Sequence, residues 1–263
     1  MVTTVLGASG FIGSRLLRSL RDCGREVYAP PRGAPEIFEK ELGHVVYAIG
    51  LTADFRNHPY ETAEAHVGYL VRILREAHFS SITYLSSTRV YQGAESGSEE
   101  SVLRVFPDAD GLYNLTKLTG EALCLQSGRG RVARLSNVIG EGASESFVAQ
   151  LVAAAAAGHI HLRSSQASAK DYILIDDAVR ALSALASDGD MGIYNVASGR
   201  NTTTAEIINA LSTCWDFDLS VAEGAETFTF PVLDTSRIGQ LLPWQPQSVA
   251  AWLRCRKNGQ LPL

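Results

Sequence analysis

Side chains suited to proton exchange with a substrate hydroxyl lie close together in the middle of this chain. Tyr113 and Lys117 are four residues apart, so a helix there would place both on one face. A phenol, with a pKa of about 10, is a weak base at neutral pH, and a nearby ammonium lowers that pKa by favouring the phenolate. Hydroxyls cluster at Ser86, Ser87 and Thr88 and could hold a substrate oxygen. Such a set can move a proton while a hydride moves to or from a nicotinamide.

Each of these features also has an ordinary structural explanation. Tyr113 and Lys117 could be an exposed helical pair without a role, and the hydroxyls at 86–88 could simply end a strand with a turn. The hydroxyls follow a strand candidate, however, and the carboxyl edge of the strands is where ligands bind in open parallel sheets. A third motif, which precedes these two features in the chain, favours a catalytic site over a purely structural explanation.

A glycine-rich segment near the start of the chain is typical of a diphosphate-binding turn. It follows the strand candidate Thr3–Leu6 and precedes a segment whose leucines recur at helical spacing. Glycines allow a tight turn and close approach of phosphate to the backbone, and the free N–H groups at a helix N-terminus favour negative charge. A structural glycine turn is the alternative. The residues expected to contact a dinucleotide cofactor are Gly7, Ser9, Gly10, Phe11, Ile12 and Gly13.

Strand and helix patterns alternate along the chain, which predicts an α/β fold with a parallel sheet covered by helices on both faces. The helix patterns lie at Tyr60–His78, where apolar residues form one stripe, and at Gly111–Gln126. Between the second and third strand candidates only one helix fits, at Pro35–Leu42, so we expect the sheet to be one strand short on that side. The strand candidates are Thr3–Leu6, Glu26–Ala29, His44–Ile49, Ser81–Ser86, Arg131–Leu135, Tyr172–Ile175 and Ile193–Val196.

Composition and charge argue against several other classes of protein. The 263 residues carry a net charge of −5 and no basic stripe, so no nucleic-acid partner is expected. The longest apolar run, 151–157, is too short to span a bilayer, and we expect a cytoplasmic protein without membrane contact. No metal is expected, because His159 and His161 have no carboxylate or cysteine nearby and the cysteines are scattered. These cysteines are Cys23, Cys124, Cys214 and Cys255.

Taken together, the motifs resemble those of the extended short-chain dehydrogenases/reductases, in the NAD-dependent epimerase/dehydratase family. The resemblance runs from the first strand candidate almost to the C-terminus. The matching segments are Gly7–Gly13, Ser86–Tyr91, Tyr113–Lys117, Arg134–Gly140, Lys170–Asp177, Tyr194–Gly199 and Asp234–Ile238. The resemblance implies a doubly wound, Rossmann-type dinucleotide-binding core at 1–140 plus 171–197. It also implies a small C-terminal substrate lobe formed by 141–170 and 198–263.

The resemblance implies roles for particular residues. Ser87, Tyr113 and Lys117 match the family's catalytic serine or threonine, tyrosine and lysine, and the lysine also holds the nicotinamide ribose. Asn137 matches an asparagine that reaches the diphosphate of nucleotide sugars, and Lys170 stands where many such members carry an arginine for the same group. Thr88 is expected to join these two in binding the substrate.

Other expectations from the resemblance concern the surroundings of the site. His66 occupies a helix position near the cofactor in the family's pattern and is expected to line the site, and Asp176 and Asp177 are expected to serve as helix N-cap and structural residues. Family members often dimerise through a four-helix bundle, which implies a homodimer through the helices at 60–78 and 111–126. A buried intramolecular face explains the apolar stripe of the first helix equally well.

Three departures from the family's pattern bear on the cofactor, the reaction and the substrate. Prolines and Arg32 follow the second strand candidate in place of the acidic residue that commonly binds the ribose of NAD, which favours NADP over NAD. A merely solvated Arg32 is the alternative. Arg89 stands where sugar dehydratases carry an acid, so dehydration is disfavoured. The stretch 225–233 lacks an arginine, although nucleotide-sugar members often have a second diphosphate contact there.

The sequence therefore predicts an NAD(P)-dependent oxidoreductase or epimerase that transfers a hydride at a carbinol or ketone carbon of a sugar. A nucleotide sugar is the expected small-molecule substrate. One alternative is an NAD(P)H-dependent carbonyl reductase with a non-nucleotide substrate. Another is a non-catalytic dinucleotide-binding sensor, which the presence of both Tyr113 and Lys117 disfavours.

Overall fold

The fold is built around a parallel sheet of six strands in the order β2-β1-β3-β4-β5-β9. The computed structural model describes residues 1–52, 54–144 and 146–254. Its strands are β1 Thr3–Leu6, β2 Val27–Tyr28, β3 His44–Tyr47, β4 Ser81–Ser87, β5 Gly130–Leu135, β6 Asn137–Ile139, β7 His159–Leu162, β8 Ala169–Leu174, β9 Gly192–Val196, β10 Asn201–Thr203 and β11 Asp218–Val221. The predicted α/β fold with a parallel central sheet is confirmed.

Both faces of this sheet are buried, because successive residues of a strand point to opposite sides. Val5 packs into the apolar cluster on one face, and its neighbour Leu6 packs into the cluster on the other. In β3, Val46 and Tyr47 divide between the two faces in the same way. Strands covered on both faces are nearly continuously apolar, which is why short β-branched runs predicted most of them.

Helices cover the two faces of the sheet. The helices of the described residues are α1 Phe11–Asp22, α2 Pro59–Ala63, α3 Tyr69–Glu76, α4 Leu112–Gln126, α5 Phe147–Ala156, α6 Ile175–Asp188, α7 Thr204–Leu211, α8 Ser236–Leu241 and α9 Val249–Arg254. Of these, α5, α7 and α9 pack against β7, β8 and β10 instead of the main sheet. On one face α1 packs against α6, and on the other α4 packs against β4 and β5. The predicted helix Tyr60–His78 is present as α2 and α3, joined by a π-helical turn at Glu64–Gly68. None of the helices in the described residues is long and apolar enough to cross a membrane.

Within the described residues the sheet ends at β2, whose one partner strand there is β1. The expectation of a sheet that is short on this side is therefore confirmed. The predicted helix Pro35–Leu42 is wrong in length, because only one turn of 3-10 helix forms, at Pro35–Phe38. The backbone at Leu42 already runs towards the sheet and donates a hydrogen bond to the carbonyl of His78 at 2.8 Å.

A second group of elements forms its own small core beside the main sheet. It contains a three-stranded sheet in the order β10-β8-β6 and a pair formed by β7 and β11. The strand predicted at Tyr172–Ile175 is β8, and its place in the main sheet is wrong, because β8 pairs with β6 and β10. A strand-like run of residues does not specify which partner strand it meets. In β7, His159 and His161 are exposed between buried apolar neighbours, as expected for a polar strand edge.

Candidate active site

The carboxyl ends of β1, β3, β4 and β5 border a cleft of about 710 Å3. Ligands bind at this edge of the sheet in open α/β folds. The predicted site residues that line the cleft are Gly10, Phe11, Ile12, Gly13, Ser87, Thr88, Tyr113, Lys117, Asn137 and Lys170. Three others do not line it: Gly7 lies in the turn before α1, and Ser9 and Arg32 are exposed.

The turn that leads into α1 can cradle an anion. Gly7 has a φ of +88°, and a Cβ there would lie 2.7 Å from the carbonyl oxygen of Ala48. A Cβ on Gly13 would collide with the carbonyl oxygen of Gly7, so both positions require glycine. The N-terminus of α1 has no side-chain cap and no acidic residue in its first turn, which leaves N–H groups available to an anion. This cradle fits the diphosphate of a nicotinamide dinucleotide.

Tyr113 lies in the first turn of α4 and is 4% exposed. Burial raises the pKa of its phenol above the ordinary value, and hydrogen bonding to the side chains of Ser87 and Thr52 offsets part of that rise. The expected direction of the shift is therefore wrong. The phenol is enclosed, and the cation that lowers its pKa is Arg89 and not Lys117.

Lys117 lies one turn further along α4, and its amine donates a hydrogen bond to the carbonyl of Leu85 at 2.9 Å. Its Nζ lies 5.8 Å from the centre of the Tyr113 ring, so the two side chains share one face of the helix as predicted. Burial lowers the pKa of Lys117 to about 7, although the carboxylate of Glu121 opposes this shift. Near neutral pH the amine is thus divided between its charged and neutral forms.

The hydroxyls at the end of β4 differ in their contacts. Ser86 is buried and donates a hydrogen bond to Glu121 at 2.5 Å. Ser87 lines the cleft, accepts a hydrogen bond from the backbone N–H of Arg89 at 3.2 Å and faces the phenol of Tyr113. Both serines border the cleft, but the hydroxyl of Ser86 is bound to Glu121, which leaves Ser87 available to a substrate oxygen.

A buried polar network supports α4 from behind. Glu121 and Arg134 form an ion pair at 2.7 Å, with side chains that are each 4% exposed. Arg134 also donates to the hydroxyl of Tyr91 at 2.8 Å, and that hydroxyl donates to Asn195 at 2.9 Å. The network joins α4, β5 and β9, and through Ser86 it reaches the end of β4.

His66 packs edge-on against Tyr113, with ring centres 5.3 Å apart. It lies in the π-helical turn, is fully buried, and places Nδ1 2.9 Å from the hydroxyl of Thr116. Burial and the charge of Lys117 lower the pKa of His66 to about 3, so the imidazole is neutral at neutral pH. It supports Tyr113 and Lys117 from the side of the helix and does not line the cleft itself.

The substrate side of the cleft is formed by the second group of elements. Lys170 lies 5.8 Å from the ring centre of Phe230, and burial lowers its pKa. Asn137 lines the cleft, but its side-chain amide donates to the backbone carbonyl of Asp171 at 2.8 Å. Phe228 and Phe230 face the same space. Aromatic rings here can stack against a base or a sugar.

One other prediction takes a different form in the structure. Asp176 and Asp177 lie in the first turn of α6, whose N-cap is Leu174, so the expectation that they cap the helix is wrong. Their negative charges still interact favourably with the partial positive charge at the N-terminus of α6. In the described residues no group of histidines, cysteines or acids could hold a metal ion. Cys255 lies outside the described residues.

Several residues of the site were not predicted from the sequence. Thr52, in the loop after β3, faces the phenol of Tyr113, and Phe228 and Phe230 line the substrate side. Short loop residues carry no periodic pattern, and only the folded chain brings them to the cleft. The hydroxyl of Thr52, close to the end of a predicted strand, is a signal that could have been used.

Comparison with known proteins identifies the family. Residues 3–197 match the NAD dependent epimerase/dehydratase family. GDP-6-deoxy-D-mannose reductase from Pseudomonas aeruginosa is 29% identical over 169 residues, which are 59% of this chain and 55% of that relative. The aligned region thus spans about half the length of this curated relative.

Solved structures share the fold at low sequence identity. MoeE5 in complex with UDP-glucose and NAD is 22% identical, with a TM-score of 0.80 and 96% of each chain covered. The UDP-glucose 4-epimerase of Thermus thermophilus in complex with NAD is 18% identical, with a TM-score of 0.78 and 97% of each chain covered. RMD from P. aeruginosa complexed with NADPH is 22% identical, with a TM-score of 0.75 and 96% of each chain covered.

Proposed function

The chain belongs to the NAD dependent epimerase/dehydratase family, and we propose that it is an oxidoreductase or epimerase that transfers a hydride at a carbinol or ketone carbon of a nucleotide sugar. One observation carries this proposal. The side chains of Ser87, Tyr113 and Lys117 converge on a cleft that also holds the uncapped N-terminus of α1. The complexes of similar proteins with NAD or NADPH and with UDP-sugars support the choice of ligands.

The cradle before α1 would hold the diphosphate of the dinucleotide, and Lys117 would hold the nicotinamide ribose. When bound, the nicotinamide supplies or accepts the hydride. Tyr113 exchanges the proton of the reacting hydroxyl, and Ser87 donates or accepts a hydrogen bond at the same oxygen. Burial of the phenol raises its pKa, so the neutral form dominates in the free protein and can donate a proton to a ketone oxygen during reduction. Asn137 and Lys170 would bind the substrate diphosphate, with Thr88 beside the sugar.

Dehydration is the least supported reaction of the family for this site. Elimination of water needs a general acid near the leaving hydroxyl. Among the described residues that line the cleft, Asp171 is the sole carboxylate. It accepts hydrogen bonds from the backbone N–H groups of Ser198 and Arg200, at 2.9 and 3.0 Å, and from the Ser198 hydroxyl at 2.8 Å. Its oxygens are therefore committed to holding a loop.

We further propose NADP as the preferred cofactor. Arg32 is exposed close to the end of β2, where it can pair with a 2′-phosphate, and a guanidinium binds such a group bidentately. No acidic residue follows β2 directly to bind an unmodified ribose.

A simple reductase is the second candidate, favoured by the 29% identity to a GDP-6-deoxy-D-mannose reductase. Epimerisation and reduction differ in whether the nicotinamide cofactor returns to its starting oxidation state within each turnover. An epimerase converts its substrate with no net change in the nicotinamide absorbance, whereas a reductase consumes one reduced cofactor for each product.

The proposal is tested with a panel of UDP-, dTDP- and GDP-sugars and their keto derivatives. Each is incubated with the purified protein and NAD+, NADP+, NADH or NADPH, and nicotinamide absorbance and product mass and stereochemistry are followed. We expect one sugar class to be epimerised, or one keto-sugar to be reduced with matching loss of absorbance. If no compound of the panel changes and no absorbance change accompanies any of them, the proposed function is wrong.

A further inference from the structure

Arg89 places a cation at the catalytic end of the cleft. It lies in the single 3-10 turn Thr88–Tyr91 that follows β4, and its backbone N–H donates to Ser87. The guanidinium carbon lies 5.1 Å from the ring centre of Phe55 and 5.7 Å from that of Tyr113. Arg89 also lines the cleft together with Ser87 and Tyr113. Any group that it binds is therefore next to the reacting atoms.

This guanidinium lacks an anionic partner among the described residues. Its Nε is buried without a hydrogen-bond partner. Asp110, the nearest acid to act on its charge, is paired with Arg56 instead. Burial and the charge of Arg56 lower the pKa of Arg89. A half-buried cation between two aromatic rings is costly unless something of opposite charge completes the site.

Lys170 adds a second positive charge to the same cleft. Burial and the charge of Arg89 lower its pKa, so the two cations act on each other. The described ion pairs include neither residue. Asp171, beside Lys170, is occupied by Ser198 and Arg200. Arg89 and Lys170 are thus two cations of the cleft that no acid of the described residues pairs with, and Arg89 is the one beside Ser87 and Tyr113.

We propose that the substrate carries a carboxylate on its sugar ring, as a uronic acid does, and that Arg89 binds it. This inference rests on the proposed nucleotide-sugar function. A guanidinium presents two parallel N–H donors that match a carboxylate, and the position of Arg89 beside Ser87 and Tyr113 fits a group on the sugar rather than the diphosphate. The aromatic surroundings strengthen the attraction, because charges interact more strongly where water is excluded.

The test compares the binding of UDP, UDP-glucose and UDP-glucuronic acid to the protein saturated with NADPH, by calorimetry. GDP, GDP-mannose and GDP-mannuronic acid form a second set. In the wild-type protein we expect the uronic acid of one set to bind at least about tenfold more tightly than its neutral hexose, which is about 1.4 kcal/mol. In Arg89→Gln the affinities for the uronic acid and for the hexose should differ by no more than about twofold, and the dissociation constant of the free nucleotide should change little. Arg75→Gln, which removes an exposed cation of α3, should keep the wild-type ratio of uronic-acid to hexose affinity.

Each other outcome has a distinct meaning. Equal binding of hexose and uronic acid by the wild-type protein would overturn the carboxylate inference and leave the proposed function standing. Equal weakening of nucleotide, hexose and uronic acid in Arg89→Gln would also overturn it, by assigning Arg89 to the diphosphate. If no nucleotide sugar of either set binds, the proposed function itself fails. Thermal unfolding of Arg89→Gln, expected to match the wild type within a few degrees, guards against a folding defect, and Arg89→Lys should retain part of the preference.

Discussion

Replacement of Glu121 by glutamine tests whether the network behind the catalytic helix holds the fold together. The carboxylate of Glu121 accepts hydrogen bonds from Arg134 at 2.7 and 3.0 Å and from Ser86 at 2.5 Å. Burial alone would lower the pKa of Arg134, and the contacts with Glu121 more than offset that effect. The Glu121→Gln variant would keep the shape of the side chain but leave the Arg134 cation buried without a counter-charge.

The expected loss follows from the burial of the pair. Both side chains are 4% exposed, and removing one partner of a buried ion pair costs about 3–5 kcal/mol. For a chain of this size each kcal/mol lowers Tm by roughly 2–4 °C, so a drop of about 6–20 °C is expected. The free energy of unfolding is measured by urea denaturation followed by circular dichroism, with Tm from thermal scans.

Glu76→Gln is the matched control. Glu76 pairs with Arg72 and Arg75 on the exposed side of α3, with a side chain 36% exposed. Exposed ion pairs contribute little to stability, because water and salt screen them, so this variant should unfold close to the wild type. If Glu121→Gln also loses less than about 1 kcal/mol, the Arg134 charge is not buried as described and the network does not stabilise α4.

Three further predictions concern the site. Lys117→Met should unfold at a higher temperature than the wild type near pH 7 in the absence of cofactor. Because the folded pKa of Lys117 is about 7 and the unfolded value is higher, the unfolded state binds more protons above pH 7. The free-energy cost of burying the amine therefore falls as pH rises. The free energies of unfolding of variant and wild type, measured by denaturant titration, should approach each other from pH 7 to pH 10. A difference that stays constant over this range would contradict the lowered pKa of Lys117. Gly13→Ala should abolish dinucleotide binding, measured by the fluorescence of NADPH, and destabilise the protein, because its Cβ collides with Gly7. Gly239→Ala should be neutral, because its Cβ would lie 4.0 Å from the Cβ of Trp244, an ordinary contact distance. Arg32→Glu should reduce the NADPH preference over NADH by about tenfold or more; an unchanged ratio of dissociation constants would mean that Arg32 is merely solvated.

The sequence sufficed for the parts of the fold that depend on local pattern. β1, β3, β4 and β5 are short β-branched runs buried on both faces, and their type and order were predictable from that pattern. The π-helical turn at Glu64–Gly68 was not, because its hydrogen bonds depend on packing against α4 and not on residue period. The partner of β8 was also beyond prediction, since a strand's pattern specifies burial and not its neighbour.

In the candidate active site, too, local sequence pattern predicted some features, and others depend on packing. The spacing of Tyr113 and Lys117 placed both on one helix face, and the glycines marked the turn before α1. The electrostatics could not be predicted from spacing. The ammonium of Lys117 was expected to lower the pKa of the phenol, yet burial raises it and lowers that of Lys117 itself, because enclosure penalises each charged form. The different contacts of Ser86 and Ser87 were also beyond prediction, because the bond from Ser86 to Glu121 forms only when β4 and α4 pack together.

The most direct test of the account is turnover by Tyr113→Phe, with Tyr60→Phe as the control on an exposed tyrosine. Tyr60 is 85% exposed, so its variant should match the wild type in every assay. Tyr113→Phe should bind NADPH with an unchanged dissociation constant and lose at least about a hundredfold in kcat on the substrate that the panel identifies. If Tyr113→Phe turns over at the wild-type rate, Tyr113 is not the proton donor and the catalytic set is wrong.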